Sequence, residues 1–262
     1  RLTDVTGVQT CALPIYHTAP MPVTEHRGRL WRAVELAESE YKVWGKRYSA
    51  MMISAPVDSN LLEARNWKAT NSLEYDSTYL DGKFGGWLEG NAVVTPEGKL
   101  IDFLRVSTTE KGRDLAAIVN ISEDGSTATF DPEVGFIDFV GGARKFTIRY
   151  DQRSGLYWTI TNMVTSEFTN MPASSVRNTL VLQSSPDLGN WSVNKILLHH
   201  PDVKKHGFQY VEWQFSGRDI LFLSRTAYDD PYGGAHNYHD ANYLTFHRIK
   251  NFRKLAKESV TR

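Results

Sequence analysis

The chain holds one cysteine in 262 residues, Cys11. A lone thiol supports no disulfide framework. It also lies in a run, residues 5–15, that looks like a translated sequencing-library adapter. Residues 1–16 are therefore expected to be artefactual, the alternative being a true mobile tail. On that reading a thiol nucleophile cannot be argued, and any export signal is out of sight. There is no excess of charge: 30 basic residues balance 30 acidic ones. This argues against nucleic acid or an anionic membrane as the main partner. No apolar run approaches the ~20 residues of a membrane-spanning helix.

What the chain does have is aromatic residues and a repeat. Aromatics make up 12%, including seven Trp and twelve Tyr, a content that suits sheet packing first and sugar stacking second. Four strand-like runs, 51–58, 117–124, 180–187 and 244–251, recur at intervals of about 64 residues, the mark of a repeat architecture. Each ends in a small polar turn, at Asp58, Asp124, Asp187 and Asn251. A hairpin with glycine in its turn precedes every run, at 22–36, 92–106, 145–162 and 210–224. A fourth strand is expected after each turn, near Trp67, Phe130, Trp191 and Phe252. Four antiparallel strands repeated radially make a β-propeller, whereas a β-sandwich gives no such period. The expected fold is an all-β propeller in one domain, 17–262, with blades at about 22–72, 91–131, 144–198 and 209–255. Because open sheet edges invite pairing, the four blades are expected to belong to a five- or six-bladed ring truncated at its N-terminal side.

Strand direction alternates within a blade, so the loops between second and third strands share a face with the loops between blades. These are long here: 37–47, 70–91, 107–114, 131–144, 163–177, 198–209 and 225–241. The opposite face has short turns. Function on such scaffolds sits on loops, so the long-loop face is the expected functional one.

Within 225–242, two His, three Asp and three Tyr surround Gly233-Gly234. Tyr228, Asp229, Tyr238 and His236 are catalytic candidates there, and His239 and Asp240 are candidate substrate contacts. The same segment also reads as a loop knotted by its own Asx turns. No zinc spacing is present, so no metal site is predicted; calcium at Asp229, Asp230 and Asp240 stays open. His206, before an innermost strand, either moves protons or bonds backbone at a loop corner. Gln209 beside it is a candidate contact. Glu89 is the preferred carboxylate, or else a solvated loop acid, and Trp87 offers a flat face to a sugar. Arg105, Arg177 and Arg225 hold equivalent places in their blades. They would share one rim and grip an anion, unless each pairs with a nearby carboxylate.

The turns Ser122-Glu123-Asp124-Gly125 and Ser185-Pro186-Asp187-Leu188-Gly189-Asn190-Trp191 resemble the Asp-boxes of sialidase-type propellers. With Ser54-Ala55-Pro56-Val57-Asp58, Gly207-Phe208-Gln209-Tyr210 and Ser224-Arg225-Thr226-Ala227-Tyr228-Asp229-Asp230, residues 17–255 resemble the bacterial sialidase-like (BNR-repeat) family. The Asp-box aspartates are structural on this reading, their carboxylates accepting amides of their own turns. The resemblance implies a secreted or periplasmic, monomeric glycoside hydrolase with no cofactor, acting on an acidic or polar glycan. It implies an arginine triad for the substrate carboxylate, a tyrosine nucleophile assisted by glutamate, and an aspartate acid/base. Those roles would fall on Arg105, Arg177 and Arg225, on Tyr228 or Tyr238 with Glu89, and on Asp229, with His206 or His236 assisting. The Phe/Tyr-Arg-Ile-Pro segment that carries the family's first arginine is absent, and Asp58 lacks the box glycine. Two rivals stand beside this expectation: a propeller polysaccharide lyase acting on uronates, and a non-catalytic glycan-binding propeller.

Overall fold

The computed structural model describes residues 16–17, 19, 21–37 and 39–257; the adapter-like run and Cys11 lie outside them. Four antiparallel sheets form a four-bladed β-propeller. Blade one contains β1 (Tyr16–His17), β2 (Thr24–His26), β3 (Arg29–Leu36), β4 (Ser49–Pro56) and β5 (Lys68–Ala69). Blade two contains β6 (Phe84–Val94), β7 (Leu100–Thr108), β8 (Leu115–Ile121), β9 (Ala128–Thr129) and β10 (Phe136–Asp138). Blade three contains β11 (Ile148–Asp151), β12 (Leu156–Asn162), β13 (Thr179–Ser185) and β14 (Ser192–His199). Blade four contains β15 (Gly207–Ser216), β16 (Asp219–Ala227) and β17 (Tyr243–Ile249).

Each sequence-level hairpin is present, and each third strand falls on its repeated run. The glycine turns work as expected: Gly217 closes the β15–β16 hairpin at φ 63°, where a side chain would be strained. The two complete Asp-boxes are built as the turn chemistry dictates. Asp187 accepts the amides of Gly189 at 3.0 Å and Asn190 at 2.8 Å. Asp124 accepts the Ser122 hydroxyl at 2.6 Å and the Ser126 amide at 3.2 Å.

The core lies between blades rather than within one. Trp31, Phe84, Trp87 and Leu104 fill the gap between blades one and two, with Phe130 packed against them. Phe103, Phe139 and Phe146 join blades two and three, with Trp191 alongside. Trp158, Trp213, Phe222 and Phe252 join blades three and four. Flat rings fill wedge-shaped gaps with large buried area and edge-to-face contact. Fully burying one such side chain contributes about 1.5–3 kcal/mol.

Three departures from the repeat matter for function. First, β6 begins at Phe84 and β15 at Gly207, so stretches expected to be loop are strand. Bulges interrupt both, between Trp87 and Gly90 and between Gln209 and Glu212. Second, blade two carries two short outer strands, β9 and β10, both paired with β8. Third, among the described residues blade four has three strands. Where a fourth is expected, the chain turns at Asn251 (φ 52°) into a 3₁₀ helix, Phe252–Lys257. Phe252 is fully buried there and Arg253 pairs with Asp151 at 2.6 Å, so blade three holds this segment instead. The face of blade four turned away from blade three exposes Leu223, Leu244 and Phe246.

One close approach shapes the rim. Gly45 (φ 85°) and Gly86 (φ 125°) bring the 37–48 loop against the start of β6, backbone to backbone. A methyl at Gly86 would overlap the Gly45 carbonyl and the Lys46 nitrogen.

Candidate functional site

A cavity of about 540 Å³ opens on the long-loop face and takes residues from every blade. Its walls are His17 and Trp44 of blade one, Glu89 and Arg105 of blade two, Arg177 of blade three, and Tyr210, Arg225 and His239 of blade four. The three arginines named from their equivalent blade positions do converge, and Glu89 and His239 are with them.

The three guanidiniums differ in their partners. Arg105 is buried and forks onto Glu89, Nη1 donating at 2.9 and 3.2 Å, while its Nε donates to the Ala143 carbonyl at 3.0 Å. Burial, the largest single influence, would raise the Glu89 carboxyl, but the Arg105 charge, the Glu89 amide, the Arg105 hydrogen bond and the nearby His17 together hold it below the usual carboxylate value. Arg177 is also buried, yet it has only neutral acceptors: the Ser174 carbonyl at 3.1 Å and Gln209 Oε1 at 2.6 Å. Burial, then the nearby charge of Arg105, lowers its pKa to about 10. Arg225 is exposed and donates to the His239 carbonyl at 3.3 Å. Among the described residues neither Arg177 nor Arg225 has a carboxylate within ion-pair reach. Both lie against one ring: Arg177 is 5.5 Å and Arg225 4.9 Å from the centroid of Tyr210. Tyr210 sits at the β15 bulge with φ 50°, a backbone state that is costly for a non-glycine residue.

His17 Nδ1 lies 3.0 Å from Glu35 Oε2, and its ring packs against Trp44 and Tyr48. Glu35 is buried on β3. Desolvation raises its carboxyl pKa, the His17 bond opposes the rise, and the charge of Glu89 adds to it. Two neighbouring carboxyls are thus driven in opposite directions, Glu89 toward the ion and Glu35 toward the acid. A third, Asp102, is fully buried, and burial, with the charge of Glu35 added, raises its carboxyl well above the ordinary range.

The remaining sequence candidates separate from this cavity. Trp87 is in the core between blades one and two and gives its indole N–H to the Glu74 carbonyl, so it presents no face to a sugar. The sequence placed it on a loop; it lies on the inner strand β6, which is covered on both sides. Gln209 is buried behind the wall, joining Arg177 to the carbonyls of Tyr238 and His239. Tyr238 is outside the cavity lining, its ring centroid 6.0 Å from the Arg177 guanidinium. Tyr228, Asp229 and His206 gather at a different place, described below. His236 is exposed, and Asp240 bonds Asn237 and His239 within its own loop. Calcium at Asp229, Asp230 and Asp240 meets an obstacle: Asp230 is engaged by the amides of Tyr232 and Gly234 and by Asn242. Sequence reasoning missed His17, Trp44, Glu35 and Tyr210. His17 borders the segment set aside as artefact, and the positive φ of Tyr210 leaves no mark in the sequence.

No family model matches this chain, and no curated protein does. Solved structures do overlay on it. A Bacillus subtilis levansucrase in complex with oligosaccharides superposes with a TM-score of 0.52 at 11% identity, covering 88% of this chain and 66% of its own. A structure described as a glycoside hydrolase gives 0.51 at 11% identity, covering 92% and 72%. A Trypanosoma rangeli sialidase in complex with sialic acid gives 0.45 at 11% identity, covering 92% and 45%, too distant to support an argument. At these identities the likeness establishes a fold shared with propeller glycoside hydrolases and nothing finer.

Proposed function

We propose that the chain is a propeller glycoside hydrolase whose cavity receives an anionic sugar. The observation that supports this reading is the pair Arg177 and Arg225, which flank Tyr210 at the cavity wall without a counter-charge. A buried guanidinium without an anion is an uncompensated charge, and a carboxylate is the ligand that satisfies its planar donors. Tyr210 supplies a ring edge beside the bound group, and Trp44 closes the opposite wall.

The opposed carboxyls supply the chemistry. Groups whose surroundings push their pKa values apart are the natural ion and acid of a hydrolase. Glu89, held ionised by Arg105, stabilises positive charge as it develops at the anomeric carbon. The Glu35–His17 pair delivers a proton to the leaving glycosidic oxygen as that C–O bond breaks. Water then adds to the anomeric carbon and returns a proton to the pair. Of the tyrosines proposed as nucleophile from sequence, neither Tyr228 nor Tyr238 lines the cavity; Tyr210 is the phenol that does.

Incubation with sialylated, uronate-containing and neutral oligosaccharides tests this reading. Release of reducing sugar from an anionic substrate and not from a neutral one is expected. Arg177→Ala is expected to raise KM about tenfold or more, the scale of a lost charge-assisted bond. Absorbance from a new unsaturated uronate would transfer the cavity to lyase chemistry. Retention of the glycan without any product would make it a binding site, and retention unaffected by Arg177→Ala and Arg225→Ala would remove the anion from the reading.

A further inference from the structure

Outside the cavity, the 198–207 loop and the start of the 228–242 loop meet at a second cluster. His206 is only 4% exposed. One side of its ring is fixed: Nδ1 lies 3.3 Å from Asp202 Oδ2. Asp202 in turn accepts the amides of Lys204 at 2.7 Å and Lys205 at 3.3 Å. In the neutral tautomer that donates Nδ1–H to that carboxylate, the other ring nitrogen has a lone pair. This Nε2 is buried and makes no hydrogen bond. Leaving such an atom unpartnered costs stability, so it calls for an explanation.

The surroundings of Nε2 supply one. Asp229 Oδ1 lies 3.4 Å from it, outside hydrogen-bond geometry. The His200 ring lies face to face with His206, centroids 3.5 Å apart and planes 18° apart. Tyr228 sets its ring edge-on against both. His200, His206 and Asp229 each bring a ligand atom within 4.8 Å of the others.

We propose that His200, His206 and Asp229 form a binding site for a divalent transition metal of the zinc class, with Asp202 orienting His206 from behind. Two imidazoles and one carboxylate suit zinc, whereas calcium and magnesium require mostly oxygen ligands. The carboxylate behind His206 is the usual support of a ligating histidine. Asp229 is mostly solvent-exposed, so water has access to the remaining position. His200 Nδ1 accepts the Asp202 amide at 3.1 Å; on metal binding this ring gives up that bond and turns a nitrogen to the ion. The ion ties two loops whose continuations carry Tyr210 and Arg225. The site is independent of the glycan reading. No spacing motif announces it, because its ligands come from two separate loops.

Equilibrium dialysis of the chelator-stripped full chain against zinc, in the absence of glycan, tests the proposal. One ion per chain is expected, with a rise in thermal midpoint on loading. Cobalt in place of zinc should give visible absorption bands. His206→Ala and Asp229→Ala are each expected to weaken uptake about 100-fold or more, and Asp202→Asn about 10-fold, as loss of an orienting carboxylate does. His236→Ala should leave uptake unchanged. Asp229 is exposed, so its variant reports on binding even if the His206 variant fails to fold. Absence of zinc uptake, uptake of calcium alone, or equal uptake by the native chain and Asp229→Ala would each overturn the site.

Discussion

Arg105 and Arg177 stand in the same cavity with opposite electrostatic situations, one neutralised by Glu89 and the other left with neutral acceptors. Glu89→Gln is expected to lower turnover about 100-fold or more while glycan retention persists. It should also destabilise the fold by about 3 kcal/mol, because Arg105 then remains buried without a counter-charge. Steady-state kinetics and urea unfolding separate the two effects. The opposed carboxyls set a pH profile. Glu89 must be ionised, so activity falls as pH drops through its lowered pKa; Glu35 must hold its proton, so activity falls as pH rises through its raised pKa. The expected curve is bell-shaped, and His17→Phe should shift or remove its alkaline limb. Asp102 acts on stability instead. Its folded-state pKa lies well above 3.8, so its contribution is intact below about pH 4 and is lost progressively as pH rises toward the folded value. Asp102→Asn should flatten that dependence, read as unfolding midpoints from about pH 4 upward.

At the scale of elements, the Asp-box turn is the device that sequence chemistry specifies most directly. Asp187→Ala removes the bonds donated by the amides of Gly189 and Asn190 and by the Asn190 side chain. It is expected to cost about 1–2 kcal/mol in urea unfolding and to leave glycan retention untouched. The blade scaffold was legible because local rules act within each repeat: glycine at positive φ in hairpins, Asp in its own turn, an aromatic ring just after it. The convergence of Arg105, Arg177 and Arg225 was legible for the same reason, since equivalent blade positions meet at the axis. The inner strands were less legible. Trp87 and Glu89 sit in one glycine-rich stretch that reads as loop, yet it is strand. The bulge before Gly90 shifts the register, and Trp87 ends in the core while Glu89 faces the cavity. Tyr228 and Asp229 fall outside the cavity because a long loop can fold back on its neighbour. Here the Asn242 side chain ties Asp230 across the loop, and the Lys204 carbonyl accepts the Tyr238 amide, which together pin the segment toward His206.

On the whole-molecule scale, the outer face of blade four leaves Leu244 70% and Phe246 65% exposed. Exposed apolar surface of this kind limits solubility. Phe246→Glu is expected to raise the concentration at which light scattering first appears, with the thermal midpoint nearly unchanged because the ring packs against little. The rim beside β6 has the reverse character. At Gly45 and Gly86 the rim loop and β6 touch through main chain alone, one residue from Trp44. A side chain placed at either glycine would lever the loop outward and carry the indole with it. Ligand preference can therefore be retuned from a residue that never meets the sugar, and variation between relatives at these two positions would predict differences in the width of the entrance.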